Sequence, residues 1–234
     1  MLCVENLHGG YGQTKVLFDI SLDVQPGEIV GLLGRNGMGK TTTIMSIFGL
    51  LATSGGSIAF DGVDIAGDKP HHIARRGLAI VPEGRQVFPL LTVDEHLHAI
   101  YRPAHDGISR WTPDSIYEFF PPLAERSGNY GNQLSGGEQQ MLAIGRALVT
   151  NPRLLVLDDA TEGLAPVIRH DIWEALRVLK SEGQSILIVD ARLRELLTLT
   201  ERNFIVEKGH TVWTGTSAEM SESSSVTNRY LGVG

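Results

Sequence analysis

A chain of 234 residues is long enough to bury one sizeable core with a smaller satellite, which excludes two large independent domains. Its 42% hydrophobic and 20% charged residues supply enough apolar surface to offset ordering the backbone, which excludes extensive disorder. Asp and Glu outnumber Lys and Arg by 27 to 20, a balance that disfavours nucleic acid and anionic lipid as partners.

In chain order, Met1 to Glu5 lacks the basic and apolar regions of a secretory leader and reads as a strand. The single Cys3 allows no internal disulfide, reads as a small hydrophobe in that strand, and fits a reducing cytoplasm. Leu2 to Leu7, Leu17 to Val24 and Ser57 to Asp61 alternate between Gly, Asn and Pro punctuation, predicting an antiparallel sheet beside the core. Ile29 to Leu33, Ala79 to Val81, Leu154 to Leu157 and Ile186 to Val189 are β-branched and Leu-rich, as in parallel strands covered on both faces. Helical patterns between them make the core α/β. No apolar run approaches the roughly 20 residues that span a bilayer.

From Thr92 to about Thr150, helical periodicity broken by Pro103, Pro113, Pro121 and Pro122 predicts a helical insertion. The expected organisation is a single domain over 1–234. An α/β core with its β subdomain covers about 1–87 and 151–215, a helical subdomain about 88–150, and a C-terminal tail about 216–234. Within the tail, Ser221 to Ser225 reads as a loop tip, a linker or a helix cap, the loop being the plainest.

Gly34-Arg35-Asn36-Gly37-Met38-Gly39-Lys40-Thr41 follows a predicted strand and precedes the helical stretch Thr42 to Leu51, matching G-x-x-x-x-G-K-[ST]. The glycines let successive N–H groups point inward, and the helix dipole adds to this anion nest. Lys40 is then placed for the β and γ phosphates of a nucleotide and the Thr41 hydroxyl for Mg²⁺. Leu154 to Asp158 is a buried strand ending in a carboxylate, the arrangement that holds Mg²⁺ from a second strand. Ser135, Gly136 and Gly137 begin a second helix and make another anion site, although one chain needs only one γ-phosphate cradle.

Leu134-Ser135-Gly136-Gly137-Glu138-Gln139-Gln140 and Gly10-Tyr11-Gly12, with the P-loop, resemble the ABC ATPases across nearly the whole chain. The resemblance implies a P-loop NTPase with a RecA-like α/β core, an antiparallel β subdomain and a helical signature subdomain. It implies ATP and Mg²⁺ as ligands, with Gly34, Asn36, Gly37, Gly39, Lys40, Thr41 and Thr42 around the phosphates and Tyr11 stacked on adenine. Thr41, Asp158 and Glu83 are the expected metal residues, and Asp159, Lys40 and Glu83 the catalytic ones. Ser135, Gly136, Gly137 and Glu138 would meet ATP bound by an opposing subunit, so the resemblance implies a dimer with a like or different ATPase chain. Val81-Pro82-Glu83-Gly84-Arg85, Val87-Phe88-Pro89, Glu162-Gly163-Leu164-Ala165-Pro166 and Val206 to Gly215 look like importers of branched-chain amino acids and their urea and amide relatives. That implies polytopic permease subunits, indirectly a periplasmic or extracellular substrate-binding protein, no nucleic acid, and a peripheral position on the cytoplasmic face of the membrane.

Two positions depart from the family pattern. Asp159-Ala160 stands where Glu-Pro is usual, and Ala191 at the switch His, with Arg192 beside it. A carboxylate one methylene short can cost on the order of 10²-fold in rate, so slow hydrolysis is expected, and a nucleotide-gated regulatory module is the rival reading. His71, His72, His96 and His98 are read as surface histidines, Trp111, Trp173 and Trp213 as packing residues, and Arg75, Arg76 and Arg85 as exposed.

Overall fold

The computed structural model describes residues 1–104, Gly107 and 109–232. The chain opens with a hairpin of β1 (Leu2–Tyr11) and β2 (Thr14–Val24), then β3 (Ile29–Leu33) leads into α1 (Lys40–Ile47). Next come β4 (Thr53–Phe60), β5 (Val63–Asp64), α2 (Pro70–Arg75) and β6 (Leu78–Val81). The helical stretch holds α3 (Val93–Ile100), α4 (Pro113–Phe119), α5 (Pro121–Glu125) and α6 (Gly136–Leu148). The core resumes with β7 (Leu154–Asp158), α7 (Pro166–Ser181), β8 (Ser185–Val189), α8 (Leu193–Leu199), β9 (Arg202–Glu207) and β10 (His210–Thr216). Two short helices, α9 (Ser217–Glu222) and α10 (Ser224–Val226), follow, so Ser221 to Ser225 lies in helical turns around Ser223 and not in a loop tip.

All ten strands share one sheet, ordered β5-β4-β1-β2-β10-β9-β3-β8-β7-β6. β9, β3, β8, β7 and β6 run parallel, as their buried apolar runs require, while β1, β2, β4 and β5 pair antiparallel. The antiparallel sheet is therefore joined edge to edge with the core through β2 and β10, rather than lying beside it. Strands β9 and β10 were not predicted, because β10 alternates half-buried and exposed residues without an apolar run.

Strand parity divides the core in two, since successive side chains face opposite ways. Ile29, Leu33, Leu155, Leu157, Ile186 and Ile188 face α6, α7 and the helical subdomain. Val30, Leu32, Leu154, Val156, Leu187 and Val189 face Ile44 and Ile47 of α1 and the apolar side of β1 and β2. Helix α1 is thus held between β7 and the first hairpin, with its N-terminus at the carboxyl end of β3. Among the described residues, no helix is long and apolar enough to cross a membrane.

Candidate nucleotide site

The P-loop leaves β3 at Gly34, whose φ is 146° and where a Cβ would stand 2.3 Å from the Val206 carbonyl oxygen of β9. Only glycine fits that approach. Gly39, also left-handed, caps α1, so the helix begins at Lys40 with first-turn amides that have no intrahelical acceptor. The Lys40 ammonium donates to the Gly34 and Arg35 carbonyls at 2.9 and 3.1 Å, folding across the mouth of the loop. Burial draws its pKa down against the opposing pull of Asp159 and Asp158. A cleft of about 280 Å³ is lined here by Asn36, Gly37, Gly39, Lys40, Thr41, Thr42, Glu83, Asp159 and Glu162.

Asp158 is 2% exposed, and burial pushes its carboxyl upward, with Glu83 adding and the Thr41 hydroxyl and Lys40 opposing. Its Oδ1 is buried without a hydrogen-bond partner. Such an orphaned oxygen calls for an occupant. A carboxylate beside a threonine hydroxyl is a donor set suited to Mg²⁺, so the residues present fit that ion. Among the described residues, no three His, Cys, Asp or Glu side chains gather as a metal cage.

Asp159 sits in the left-handed region at φ 53°, its N–H bonded to the Val189 carbonyl at 3.0 Å. Burial, then the neighbouring Asp158 charge, push its carboxyl up to about 6. A proline at 160 would drive residue 159 toward extended backbone, but buried Ala160 leaves the turn open to it. The turn is tied to the end of β8 by Asp190, whose Oδ2 accepts from the Thr161 N–H and hydroxyl at 3.0 and 2.6 Å. The other Asp190 oxygen accepts the Arg192 N–H at 2.9 Å, while Ala191 and the Arg192 side chain are exposed.

Glu83 is exposed and joins Asp159 in the cleft and Asp158 in an adjoining groove of about 530 Å³, which Gln86 also lines. Tyr11 is the last residue of β1. Its hydroxyl lies 3.5 Å from Thr42 Oγ1 and 3.5 Å from Met45 Sδ, setting the exposed ring beside the first turns of α1.

The signature turn lies elsewhere. Ser135 caps α6, accepting the Glu138 N–H at 3.3 Å, while Glu138 accepts the Ser135 N–H at 2.7 Å and pairs with Arg126. Gly137 lets α6 approach α7, since a Cβ there would stand 2.6 Å from Ile168 Cγ2. One chain thus gathers the P-loop, Glu83, Asp158 and Asp159, and puts Ser135, Gly136, Gly137 and Glu138 outside that cleft.

Three histidines stand as expected, but His96 does not. It is 1% exposed, its Nε2 accepting the Phe88 N–H at 2.9 Å and its Nδ1 bonding the Thr92 carbonyl at 2.7 Å. The Phe88 ring covers it, a tertiary contact that α3 alone does not announce. Arg85 is likewise half-buried, not exposed. Trp111 and Trp173 are core residues and Trp213 packs against the core, as expected.

Residues 17–162 match the family model described as ABC transporter. The chain is 39% identical over 232 residues to the high-affinity branched-chain amino acid transport ATP-binding protein BraG of Pseudomonas aeruginosa, covering 99% of this chain and all of that protein. It is 38% identical over 235 residues to the lipopolysaccharide export system ATP-binding protein LptB of Haemophilus influenzae, covering 99% and 97%. The ADP conformation of MJ1267, an ATP-binding cassette of an ABC transporter, superposes with a TM-score of 0.83 at 27% identity over 100% and 99% of the two chains. The dimeric cassette MJ0796 gives 0.78 at 26% identity over 93% and 99%. The chain therefore belongs to the ABC transporter ATP-binding family and is the ATPase subunit of such a transporter.

Proposed function

We propose that this chain energises an importer of branched-chain or other hydrophobic amino acids, and that its own site turns over slowly. The left-handed Asp159 carries the second part: a shortened carboxylate leaves the strand at an angle set by a turn that Ala160 permits, with no hydrogen-bonding side chain at Ala191 opposite. BraG and LptB stand at nearly equal identity. The Pro82-Glu83-Gly84-Arg85 and Glu162-Gly163-Leu164-Ala165-Pro166 segments, which resemble the importer ATPases, favour import.

In this reading Tyr11 stacks on adenine, while Lys40, Thr42 and the amides from Gly34 to Thr41 receive the phosphates. Thr41 and Asp158 would hold Mg²⁺, which draws negative charge from the phosphates when bound, with Glu83 at the margin of that shell. Asp159 orients the attacking water. Ser135, Gly136, Gly137 and Glu138 face the nucleotide of a second ATPase subunit. An apolar groove of about 290 Å³, lined by Phe48, Leu50, Ile80, Ile100 and Ala147 among others, receives a helix of the permease on the inner face of the membrane, with a substrate-binding protein acting on the far side. The absence of an intact Glu and switch His favours a second reading, a nucleotide-gated regulatory subunit.

Steady-state ATPase assays of the chain alone and with its cognate ATPase partner, beside nucleotide affinity and an Asp159→Glu variant, separate these. Firm binding with feeble turnover, raised by the partner or by Asp159→Glu, supports a slow site in a transporter. Brisk turnover alone, abolished by Asp159→Asn, refutes the slow site. Binding with no turnover in any mixture favours the regulatory subunit. Labelled leucine uptake that persists unchanged in cells lacking the chain would refute the amino-acid substrate.

A further inference from the structure

The parallel ladder of β7 and β8 ends at the pair Asp158 and Val189, and the segments that leave it carry Asp159 on one side and Asp190 on the other. Asp190 lies one residue beyond β8 and is 5% exposed. A buried carboxylate needs donors for its oxygens. Asp190 finds three, divided between two turns. Its Oδ2 accepts the N–H and the hydroxyl of Thr161 at 3.0 and 2.6 Å, and its Oδ1 accepts the Arg192 N–H at 2.9 Å. Thr161 is itself 2% exposed, so bulk water does not stand in for its partner.

Asp159 is thereby held from both sides. Its own N–H is bonded to the Val189 carbonyl at 3.0 Å, and two residues further on Thr161 is fixed to Asp190. Between these anchors the backbone takes the left-handed turn, φ 53°, that places Asp159 on the cleft it shares with Lys40 and Thr41. An aspartate depends on such support. With one side-chain torsion fewer than glutamate, it has less freedom to swing its carboxylate back when the backbone shifts, and a displacement of about 1 Å can cost on the order of 10²-fold in rate. Ala160 does not fix its own φ as a proline would, so the turn relies on its hydrogen bonds to the end of β8.

We propose that Asp190 is a positioning residue: through Thr161 it holds the turn that aims the shortened Asp159 carboxylate, and so sets the turnover of the site. The effect on turnover rests on the reading of Asp159 as the group that orients the attacking water. The bonds to Thr161 and Arg192 belong to the nucleotide-free chain.

The test measures kcat, KM for MgATP and amide hydrogen exchange on the full chain, mixed with its cognate ATPase partner where turnover requires it. Thr161→Val removes the hydroxyl with little change of shape, and is expected to lower kcat about tenfold with KM within about twofold. Thr161→Ser keeps the hydroxyl and should stay within about twofold of the parent in both. Asp190→Asn turns an amide N–H toward Thr161 or Arg192, and is expected to lower kcat at least about tenfold, with faster exchange at 160–162 and 192 and none at 40–47. In an Asp159→Asn background neither Thr161→Val nor Asp190→Asn should lower kcat further, because both act through the Asp159 carboxylate. A merely structural role would quicken exchange with kcat intact, or lower kcat by the same factor in both backgrounds, and either result overturns the proposal. So does unchanged exchange at 160–162 in Asp190→Asn, or a raised KM at constant kcat. Such results in a chain that hydrolyses ATP refute the role of Asp190 alone, whereas a parent chain without turnover in any mixture refutes the ATPase reading and this role with it.

Discussion

At Asp159 one side chain's surroundings bear on both turnover and stability. Burial and the Asp158 charge move its carboxyl from 3.8 to about 6. Only the carboxylate can accept a proton from water, so kcat is expected to climb through about pH 6, and Asp159→Asn to flatten the profile and lower kcat on the order of 10²-fold. Stability has the opposite sign. The folded chain keeps this proton to higher pH than the unfolded one, so stability is lost as pH rises from 3.8 toward about 6. Asp159→Asn removes that penalty, and in nucleotide-free thermal scans it is expected to gain roughly 1 kcal/mol, or about 2–4 °C, near pH 8 and nothing near pH 4. An equal gain at both pH values would show that the carboxyl is not strained by its surroundings.

Among the elements, the hairpin turn between β9 and β10 supports the P-loop from outside. The Gly209 N–H donates to the Met38 carbonyl at 3.0 Å, while its own carbonyl accepts the Phe18 and Asp19 N–H groups at 2.8 and 3.1 Å. Its φ is 77°, and a Cβ there would stand 2.0 Å from the Val16 carbonyl oxygen. Gly209→Ala must push β2 away from the turn, and is expected to weaken ATP binding about tenfold and to cost about 2 kcal/mol in thermal unfolding. Unchanged affinity in a nucleotide titration would remove the hairpin as a support for the loop. The P-loop itself was legible because its glycine spacing is demanded by local backbone geometry, and β3, β7 and β8 because burial on both faces leaves continuous apolar runs. By contrast, β9 opens on Arg202 and Asn203 and β10 alternates, so both become strands only through their neighbours in the sheet. His96 and Arg85 were hidden for the same reason, since Phe88 and the signature turn that cover them come from other parts of the chain.

Across the whole molecule, the two halves of the sheet meet at β2 and β10 through the parallel pair His210 and Asp19, the Gly209 bonds, and Thr211 Oγ1, which accepts the Ser21 N–H at 3.0 Å and donates to the Ser21 carbonyl at 2.9 Å. Arg202 of β9 reinforces this junction at its other end. Its guanidinium bonds both carboxylate oxygens of Asp23, at the end of β2, at 3.0 and 2.7 Å, and both of Glu28, just before β3, at 2.6 and 2.9 Å. Paired forks of this kind are stronger than single surface ion pairs, and Arg202 accordingly holds Asp23 below the usual carboxylate range. Arg202→Gln is expected to cost about 2 kcal/mol near neutral pH, where both acids are charged, and less as pH falls and Asp23 takes up its proton. The second core cluster spans the junction, with Leu2, Leu17 and Ile20 on one side and Val30, Val156 and Leu187 on the other. That shared apolar burial should keep the variant's unfolding in one transition, because neither half can expose its side of the cluster without exposing the other. Two resolved transitions in calorimetry would instead show that Arg202, and not the shared core, makes the ten strands one cooperative unit.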